Sequence, residues 1–220
     1  MTVIGEKDGG WVLSVNVGQP RMTDWLGQTA PTSIWKSPVD GRVLVRGVNV
    51  DGDDQADRKV HGGPDKAVYS YAREDIAWWE GQLGRALEPG TFGENLTLVG
   101  LDVTGALVGE RWEIDGAVFE VAQPRMPCWK LGARMNDPEF PDVFLSARRP
   151  GAYLRIVQEG EVGAGDEVRV VYRPAHMLTV RSVVDIYDLE RGRAPELLEV
   201  AELAEVMKAW ARRRLRYSTK

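Results

Sequence analysis

The sequence has one cysteine and two histidines among 220 residues. A structural zinc site or an iron–sulfur cluster needs about four thiolate or imidazole ligands. The chain cannot supply such a set, so a metal would have to arrive with ligands of its own. A single unpaired cysteine is also typical of a reducing compartment, which predicts a cytoplasmic protein.

Long apolar runs and an excess of positive charge are also missing. No run of about 18 apolar residues occurs, and residues 1–10 have no apolar core, so neither a membrane span nor a signal peptide is predicted. The chain has 28 Lys and Arg against 33 Asp and Glu, a formal net charge of -5. Non-specific binding to nucleic acid or to an anionic membrane is therefore not expected.

What is present, from Trp11 to about Tyr172, is a mainly β pattern with a few helices. Short runs with a period near two are separated by Gly, Asp and Pro. In the first run, Trp11, Leu13, Val15 and Val17 alternate with Val12, Ser14 and Asn16. Further strands are predicted over 32–35, 42–45 and 167–172.

Two local patterns predict individual elements with defined positions. The Asp115-Gly116 dipeptide predicts a type I′ hairpin turn that pairs Ile114 with Ala117 and Trp112 with Phe119. Apolar residues at helical spacing predict a helix over 73–83 that covers the sheet.

After Arg173-Pro174 the composition changes, and 180–215 reads as three short helices. We therefore expect a β domain over 1–174 and a small all-α, three-helix domain over 175–220. The basic run at 212–216 is more typical of a solvated last turn than of a binding surface.

Cys128 follows the second strand of the predicted hairpin. Pro127 suits a first helical turn, so the thiol is expected near a helix N-terminus, with Arg125 and Lys130 close by. These neighbours favour a thiolate at neutral pH. A small buried cysteine is the alternative, and this segment alone does not decide between the two.

Two polar, glycine-rich loops accompany it. In the first, over 51–66, His61 and Lys66 supply hydrogen-bond donors, and neighbouring glycines let backbone N–H groups approach an anion. In the second, over 90–97, Asn95 is either a binding group or a turn residue in the left-handed conformation. No segment forms a Walker loop, a dinucleotide fingerprint or a G-x-S-x-G elbow, which argues against ATP, NAD and serine hydrolysis.

Taken together, five segments resemble the MOSC domain, in particular its YiiM-like branch. They are Ser14–Gly18, Gly52–Asp57, His61–Val68, Phe92–Thr97 and Gln123–Lys130. The tail is similar to the three-helix domain that follows MOSC domains in that branch. The resemblance implies a β-barrel-like fold and a molybdenum cofactor held by its pterin, with tungsten not excluded. It also implies reduction of N-hydroxylated compounds such as hydroxylaminopurines.

The resemblance also assigns roles to residues. Cys128 would be the thiolate ligand to the metal, and His61 and Asn95 would complete the catalytic set. The expected cofactor-binding residues are Lys36, His61, Gly62, Gly63, Lys66, Phe92, Gly93, Glu94, Asn95, Gln123, Arg125 and Cys128. Pyridoxal phosphate is not expected.

Electrons must come from an external donor protein, because the chain has no flavin or NAD fingerprint and too few cysteines for a cluster. We expect a small N-hydroxylated substrate, no membrane or nucleic acid partner, and a monomer or homodimer. The basic tail is predicted to dock an acidic donor, so its removal should spare activity with a small artificial reductant.

Two other functions remain open at this point. The first is a cofactor carrier or sulfur-transfer protein in which Cys128 holds the cofactor or bears a persulfide. The second is a nucleophilic hydrolase, which requires Cys128 and His61 within hydrogen-bond reach.

Overall fold

The computed structural model describes residues 9–56 and 62–218, without the side chains of 217 and 218. The strands are β1 (Gly9–Val17), β2 (Arg21–Trp25), β3 (Gln28–Thr32), β4 (Ser37–Pro38), β5 (Arg42–Arg46), β6 (Asn49–Val50), β7 (Val68–Ala72), β8 (Leu96–Val99), β9 (Arg111–Ile114), β10 (Ala117–Pro124), β11 (Ala152–Gln158), β12 (Gly160–Gly163) and β13 (Glu167–Tyr172). The helices are α1 (Arg73–Leu83), α2 (Trp129–Met135), α3 (Phe140–Ser146), α4 (Val180–Asp188), α5 (Glu196–Glu199) and α6 (Glu205–Ser218), with 3-10 turns at Pro64–Lys66 and Arg191–Arg193.

Seven strands form a closed, mixed barrel in the order β13-β9-β10-β11-β7-β8-β1, and β1 returns to pair with β13. Only the β7–β8 pair is parallel among these neighbours. A Cβ atom on Gly9 would lie 2.5 Å from the Val168 oxygen of β13, and one on Gly10 would lie 2.4 Å from the Val99 oxygen of β8, so both positions of β1 require glycine. The predicted β-barrel-like fold with helices is confirmed.

The hairpin prediction is confirmed in register. Ile114 lies opposite Ala117 and Trp112 opposite Phe119, and all four side chains are fully buried in the barrel core. Asp115 and Gly116 have φ values of 46° and 86°, as a type I′ turn requires.

The predicted helix over 73–83 is α1, with the same bounds. It buries Ile76 and Trp79 in an aromatic cluster outside the barrel, beside Phe140 and Phe144 of α3. The Trp79 indole Nε1 donates a 2.8 Å hydrogen bond to the Tyr71 hydroxyl, which ties α1 to β7. This cluster supports the strands that lead into the candidate site.

Two strand predictions need correction. In β1, Trp11 and Leu13 are 53% and 44% exposed, whereas Ser14 and Asn16 point inward. A register irregularity between Val12 and Ser14 shifts the alternation, and the buried Asn16 bonds to Ser14 and Thr97. The strand predicted over 32–35 is also wrong, because β3 ends at Thr32 and the chain then turns into the candidate site.

The tail forms α4, α5 and α6 around a hydrophobic cluster that includes Leu197 and Leu203. The cluster also takes in Val108 from before β9 and Met126 from after β10. Backbone bonds from Val108 N to Leu178 O (3.0 Å) and from Ala204 N to Ala122 O (3.1 Å) join the tail to the barrel. The division into two domains near residue 174 stays a proposal, since the barrel and the C-terminal helices share this cluster.

No helix in the described part of the chain is both long and apolar enough to cross a membrane.

Candidate functional site

A cavity with about 690 Å³ of empty space, its open mouth included, lies where several connecting segments meet. Its walls come from residues within 32–36, 53–56, 66–69, 93–95 and 125–130, together with Tyr153 of β11. These segments are far apart in sequence, and the closed barrel brings them to one place. They include parts of all the loops in which the sequence analysis placed candidate residues.

Six of the predicted site residues line this cavity: Lys36, Lys66, Gly93, Asn95, Arg125 and Cys128. His61, the second predicted catalytic residue, lies outside the described residues. Its contact with Cys128, which a hydrolase would need, therefore stays a prediction.

The remaining predicted residues do not line the cavity. Phe92 packs in the aromatic cluster, and the buried Glu94 carboxylate accepts the N–H groups of Gly90 (2.6 Å) and Phe92 (3.0 Å). Burial raises the Glu94 pKa. Gln123 donates to the Asp65 carbonyl (3.2 Å), and the Gly63 N–H donates to Gln55 Oε1 (3.0 Å). The predicted contact of these residues, and of Gly62, with a cofactor stays a prediction.

Cys128 is the N-cap residue of α2 and is partly exposed to the cavity. Its backbone is extended, with φ at -142°, and its carbonyl accepts the Leu131 N–H at 2.9 Å. The prediction of a thiol near a helix N-terminus is confirmed, but Pro127 precedes the helix and does not lie in its first turn. Arg125 and Tyr153 both lie close enough to interact electrostatically with the sulfur.

Asp53 organises one wall, a role that the sequence analysis did not assign. One of its oxygens accepts the Gly18 N–H (2.7 Å) and a short ion-pair bond from Lys36 Nζ, and the other accepts Asn95 Nδ2 (2.9 Å). Burial lowers the pKa of Lys36, and the Asp53 charge opposes that shift. Lys36, one of the expected cofactor-binding residues, is thus already paired within the chain.

Asn95 lies directly before β8 and is 4% exposed. Its Oδ1 accepts the Tyr69 N–H (3.1 Å), and its Nδ2 donates to Asn16 O (3.2 Å) as well as to Asp53. It is not among the residues with positive φ, so the left-handed turn alternative is wrong. These bonds make Asn95 a link between three segments, and its catalytic role stays a prediction.

We expect Asn95→Ala to lower the free energy of unfolding by about 1–3 kcal/mol, because it leaves buried polar groups without partners. Urea unfolding measures the change. Gln158→Ala removes an exposed side-chain bond to Gly116 O and should change stability by about 0.5 kcal/mol or less. Equal effects of the two substitutions would contradict the linking role.

Ser33 reaches the cavity because the segment after β3 is held against α2. The Trp35 ring contacts the guanidinium groups of Arg21 (3.9 Å from the centroid) and Arg134 (4.8 Å). Trp25 of β2 packs on Gly132, where an added Cβ would lie 3.1 Å from the indole. The Ser33 hydroxyl is buried and has no hydrogen-bond partner within the described structure.

Arg125 and Lys130 are the least exposed cations of the cavity lining, at 6% each. Its guanidinium carbon lies 5.3 Å from the Tyr69 ring centroid and 5.6 Å from that of Phe144. Its Nη1 atom is buried without a hydrogen-bond partner in the described part of the chain. The cavity therefore offers a thiol beside a buried positive charge.

Among the described residues, no group of three or more His, Cys, Asp or Glu side chains could hold a metal ion.

Comparisons with known proteins are consistent with this architecture. YflK, an uncharacterized protein of Bacillus subtilis (strain 168), is 35% identical over 90% of this chain and 91% of its own length. A protein of Gibberella moniliformis named "Reductase" is 28% identical over 90% of this chain, which spans only 35% of that protein. The crystal structure of YiiM from Geobacillus stearothermophilus superposes with a TM-score of 0.77 at 28% identity, covering 94% of this chain and 99% of that one.

The family model of the MOSC domain matches residues 57–169, just over half of the chain. The matched span contains the Cys128 segment and the strands β7 to β13 except for the last residues of β13. Sequence, fold and family model agree, and the chain belongs to the MOSC domain family, in its YiiM-like branch.

Proposed function

We propose that this protein is a molybdenum-cofactor-dependent reductase of N-hydroxylated compounds, with Cys128 as the thiolate ligand to the metal. Membership of the MOSC family and a relative named as a reductase support an oxidoreductase-type function. The observation that carries the finer proposal is the position of Cys128, partly exposed in the same cavity as the buried Arg125.

The residues of the cavity fit an anionic group that carries a soft metal. Thiolate is a soft ligand, and one protein thiolate suffices where the cofactor brings two sulfurs of its own. The Arg125 Nη1 atom and the Ser33 hydroxyl, which have no hydrogen-bond partner among the described residues, are donors suited to anionic oxygen atoms. Lys66 and Lys130 add positive charge to the same lining.

When bound, the cofactor would supply a redox-active metal that can accept the oxygen atom of an N–OH group. The chain's own part is binding and positioning. Cys128 would hold the metal, and Asp53 keeps Lys36 and Asn95 in place. Burial raises the pKa values of Tyr69 and Tyr153, so both phenols stay neutral at physiological pH and wall the cavity without adding negative charge.

Turnover would need electrons from a second protein or a further domain. The Gibberella protein named as a reductase extends well beyond the segment that this chain matches. That extra length leaves room for a donor module in the Gibberella protein, and we propose that electrons likewise reach the segment described here from a donor outside it.

The experiment is metal and pterin analysis of the full chain produced with ample molybdate, followed by turnover assays. We expect about one molybdenum per chain and reduction of an N-hydroxylated purine by a chemically reduced viologen. Bound cofactor without turnover would favour the carrier or sulfur-transfer alternative. Absence of both molybdenum and tungsten would overturn the cofactor proposal and return the hydrolase alternative to consideration.

A further inference from the structure

Two arginine side chains contact Trp35, and a third lies beside them. The guanidinium carbon of Arg21 in β2 lies 3.9 Å from the centroid of the Trp35 ring, and that of Arg134 in α2 lies 4.8 Å from it. Arg85, which follows α1, is close enough to interact electrostatically with Arg134. None of the three is among the described residues that line the cavity. We call Arg21, Arg85 and Arg134 the arginine surface.

The arginine surface has no carboxylate partner in the described part of the chain. No ion pair there includes any of its three members, although the sequence has 33 Asp and Glu. The Arg134 Nε atom is buried without a hydrogen bond to any described residue. Burial lowers the pKa of Arg134, and the charges of Arg21 and Arg85 lower it further, although the buried Glu94 opposes the shift. Clustered like charges cost free energy, so negative charge from outside the chain would stabilise them.

The exposure of the arginine surface favours a protein partner over a small ion. Arg21 and Arg85 are exposed, and Trp35 is partly buried. One exposed ion pair contributes little in water, whereas complementary charges on two protein faces act together during encounter and binding. Arginine and tryptophan are also enriched in protein interfaces. The arginine surface therefore suits a carboxylate-rich face of another protein.

The arginine surface also lies close to the proposed metal ligand. Cys128 is the N-cap residue of α2, and Arg134 lies in the last turn of that helix, roughly 9 Å further along its axis at about 1.5 Å per residue. Trp35 stands between Ile34 and Lys36, which both line the cavity. A partner bound to the arginine surface would therefore lie near the cavity wall, as electron transfer to a bound cofactor requires.

We propose that Arg21, Arg85 and Arg134 form the docking surface for an acidic partner protein, which in the proposed function is the external electron donor. Only the donor role rests on the proposed function, since binding can be measured on the cofactor-free chain. We place the donor here rather than on the basic tail, where Arg212 is paired with Glu205.

The binding test is titration of the isotope-labelled, cofactor-free full chain with a decaglutamate peptide, followed by NMR. The reporter is the indole N–H signal of Trp35, identified by its loss in Trp35→Phe. We expect this signal to shift with decaglutamate at low ionic strength, and the affinity to fall as salt is added. Decaglutamine, which has the same length and no charge, should leave the signal in place.

Single substitutions separate the arginine surface from general charge effects. Arg85→Glu should weaken decaglutamate binding about three- to tenfold, because it replaces an attraction with a repulsion. Arg134→Gln should weaken binding about two- to fivefold. Arg213→Gln makes the same change in net charge at an exposed arginine of the tail, and it should leave the affinity unchanged. If Arg134→Gln does not fold by near-ultraviolet circular dichroism, the exposed Arg85 carries the test.

The donor role is tested on the molybdenum-loaded protein with a viologen attached to decaglutamate or to decaglutamine. We expect the acidic conjugate to have a KM about fivefold lower than the neutral one, with the same kcat, because complementary charge speeds encounter. Arg85→Glu should remove this advantage and leave turnover with free viologen unchanged.

The outcomes distinguish the docking surface from the proposed function. An unmoved Trp35 signal, equal affinities of wild type and Arg85→Glu, or equal losses in Arg213→Gln and Arg134→Gln would overturn the docking surface. Tighter binding of a single-stranded oligonucleotide of the same charge would assign the arginine surface to nucleic acid instead. Equal KM values of the two conjugates would overturn the donor role. Absence of turnover with free viologen would count against the proposed function, and the titration would still decide the docking surface.

Discussion

Cys128→Ser should reduce bound molybdenum sharply and bring reductase turnover down to background, while the fold stays intact. A hydroxyl is a far poorer ligand than a thiolate for a soft metal site. The fold should survive because Cys128 is the N-cap residue of α2, and serine is among the preferred residues at that position. Molybdenum content, turnover with a reduced viologen and the unfolding midpoint are measured on the same preparations.

Cys128→Ala is the matched variant, since it removes the sulfur without offering a capping oxygen. It should lose activity as fully as Cys128→Ser. Wild-type turnover in either variant would rule out the metal-ligand role. Retained molybdenum with lost turnover would instead assign Cys128 to the reaction and the metal to other ligands.

Disruption of the C-terminal helices should damage the site as well as the tail. Leu197 is fully buried in the cluster that also contains Val108 and Met126, and Met126 lines the cavity. We expect Leu197→Ala to lower the free energy of unfolding by about 2–5 kcal/mol, as for other large-to-small core substitutions. Leu189→Ala, at a side chain 70% exposed, should cost about 0.5 kcal/mol or less. Urea unfolding compares the two variants.

The same structure changes the expectation for removal of residues 175–220. From the sequence alone, activity with a small reductant is expected to survive this removal, on the view that the tail only docks a donor. Arg155 Nη1 donates to the Glu202 carbonyl (2.7 Å), and its Nε donates to Asp65 (2.6 Å), next to Lys66 of the cavity. We now expect the truncated chain to lose activity with both electron sources. Wild-type turnover of that chain with a viologen would restore the docking view.

Local patterns predicted the elements whose partners are close in sequence. The turn at Asp115-Gly116 needs positive φ at both positions, and the dipeptide alone signals it. The helix α1 follows from apolar spacing within its own residues. The strand β13 is likewise defined by its own β-favouring run, with bounds as predicted.

Features that depend on distant residues were not predicted. The local alternation places Ser14 and Asn16 on the solvent side of β1, although both face inward. The register irregularity and the bond to Thr97 cannot be inferred from that alternation. The roles of Asp53 and Ser33 were missed for the same reason. The partners of the Asp53 carboxylate lie 17 to 42 positions away along the chain, and Ser33 reaches the cavity through the stacking of Trp35.

The seam between β1 and β13 also determines when the barrel can be completed. Gly9 pairs with Arg169 and Trp11 with Glu167, so the first and last barrel strands meet across almost the whole domain sequence. Contacts between such distant residues slow folding, because the intervening loop must be closed before they form. During synthesis, which proceeds from the N-terminus, β1 can pair with β8 early but keeps one open edge until β13 emerges. Open strand edges are templates for pairing with other chains, so nascent chains are exposed to aggregation throughout this interval.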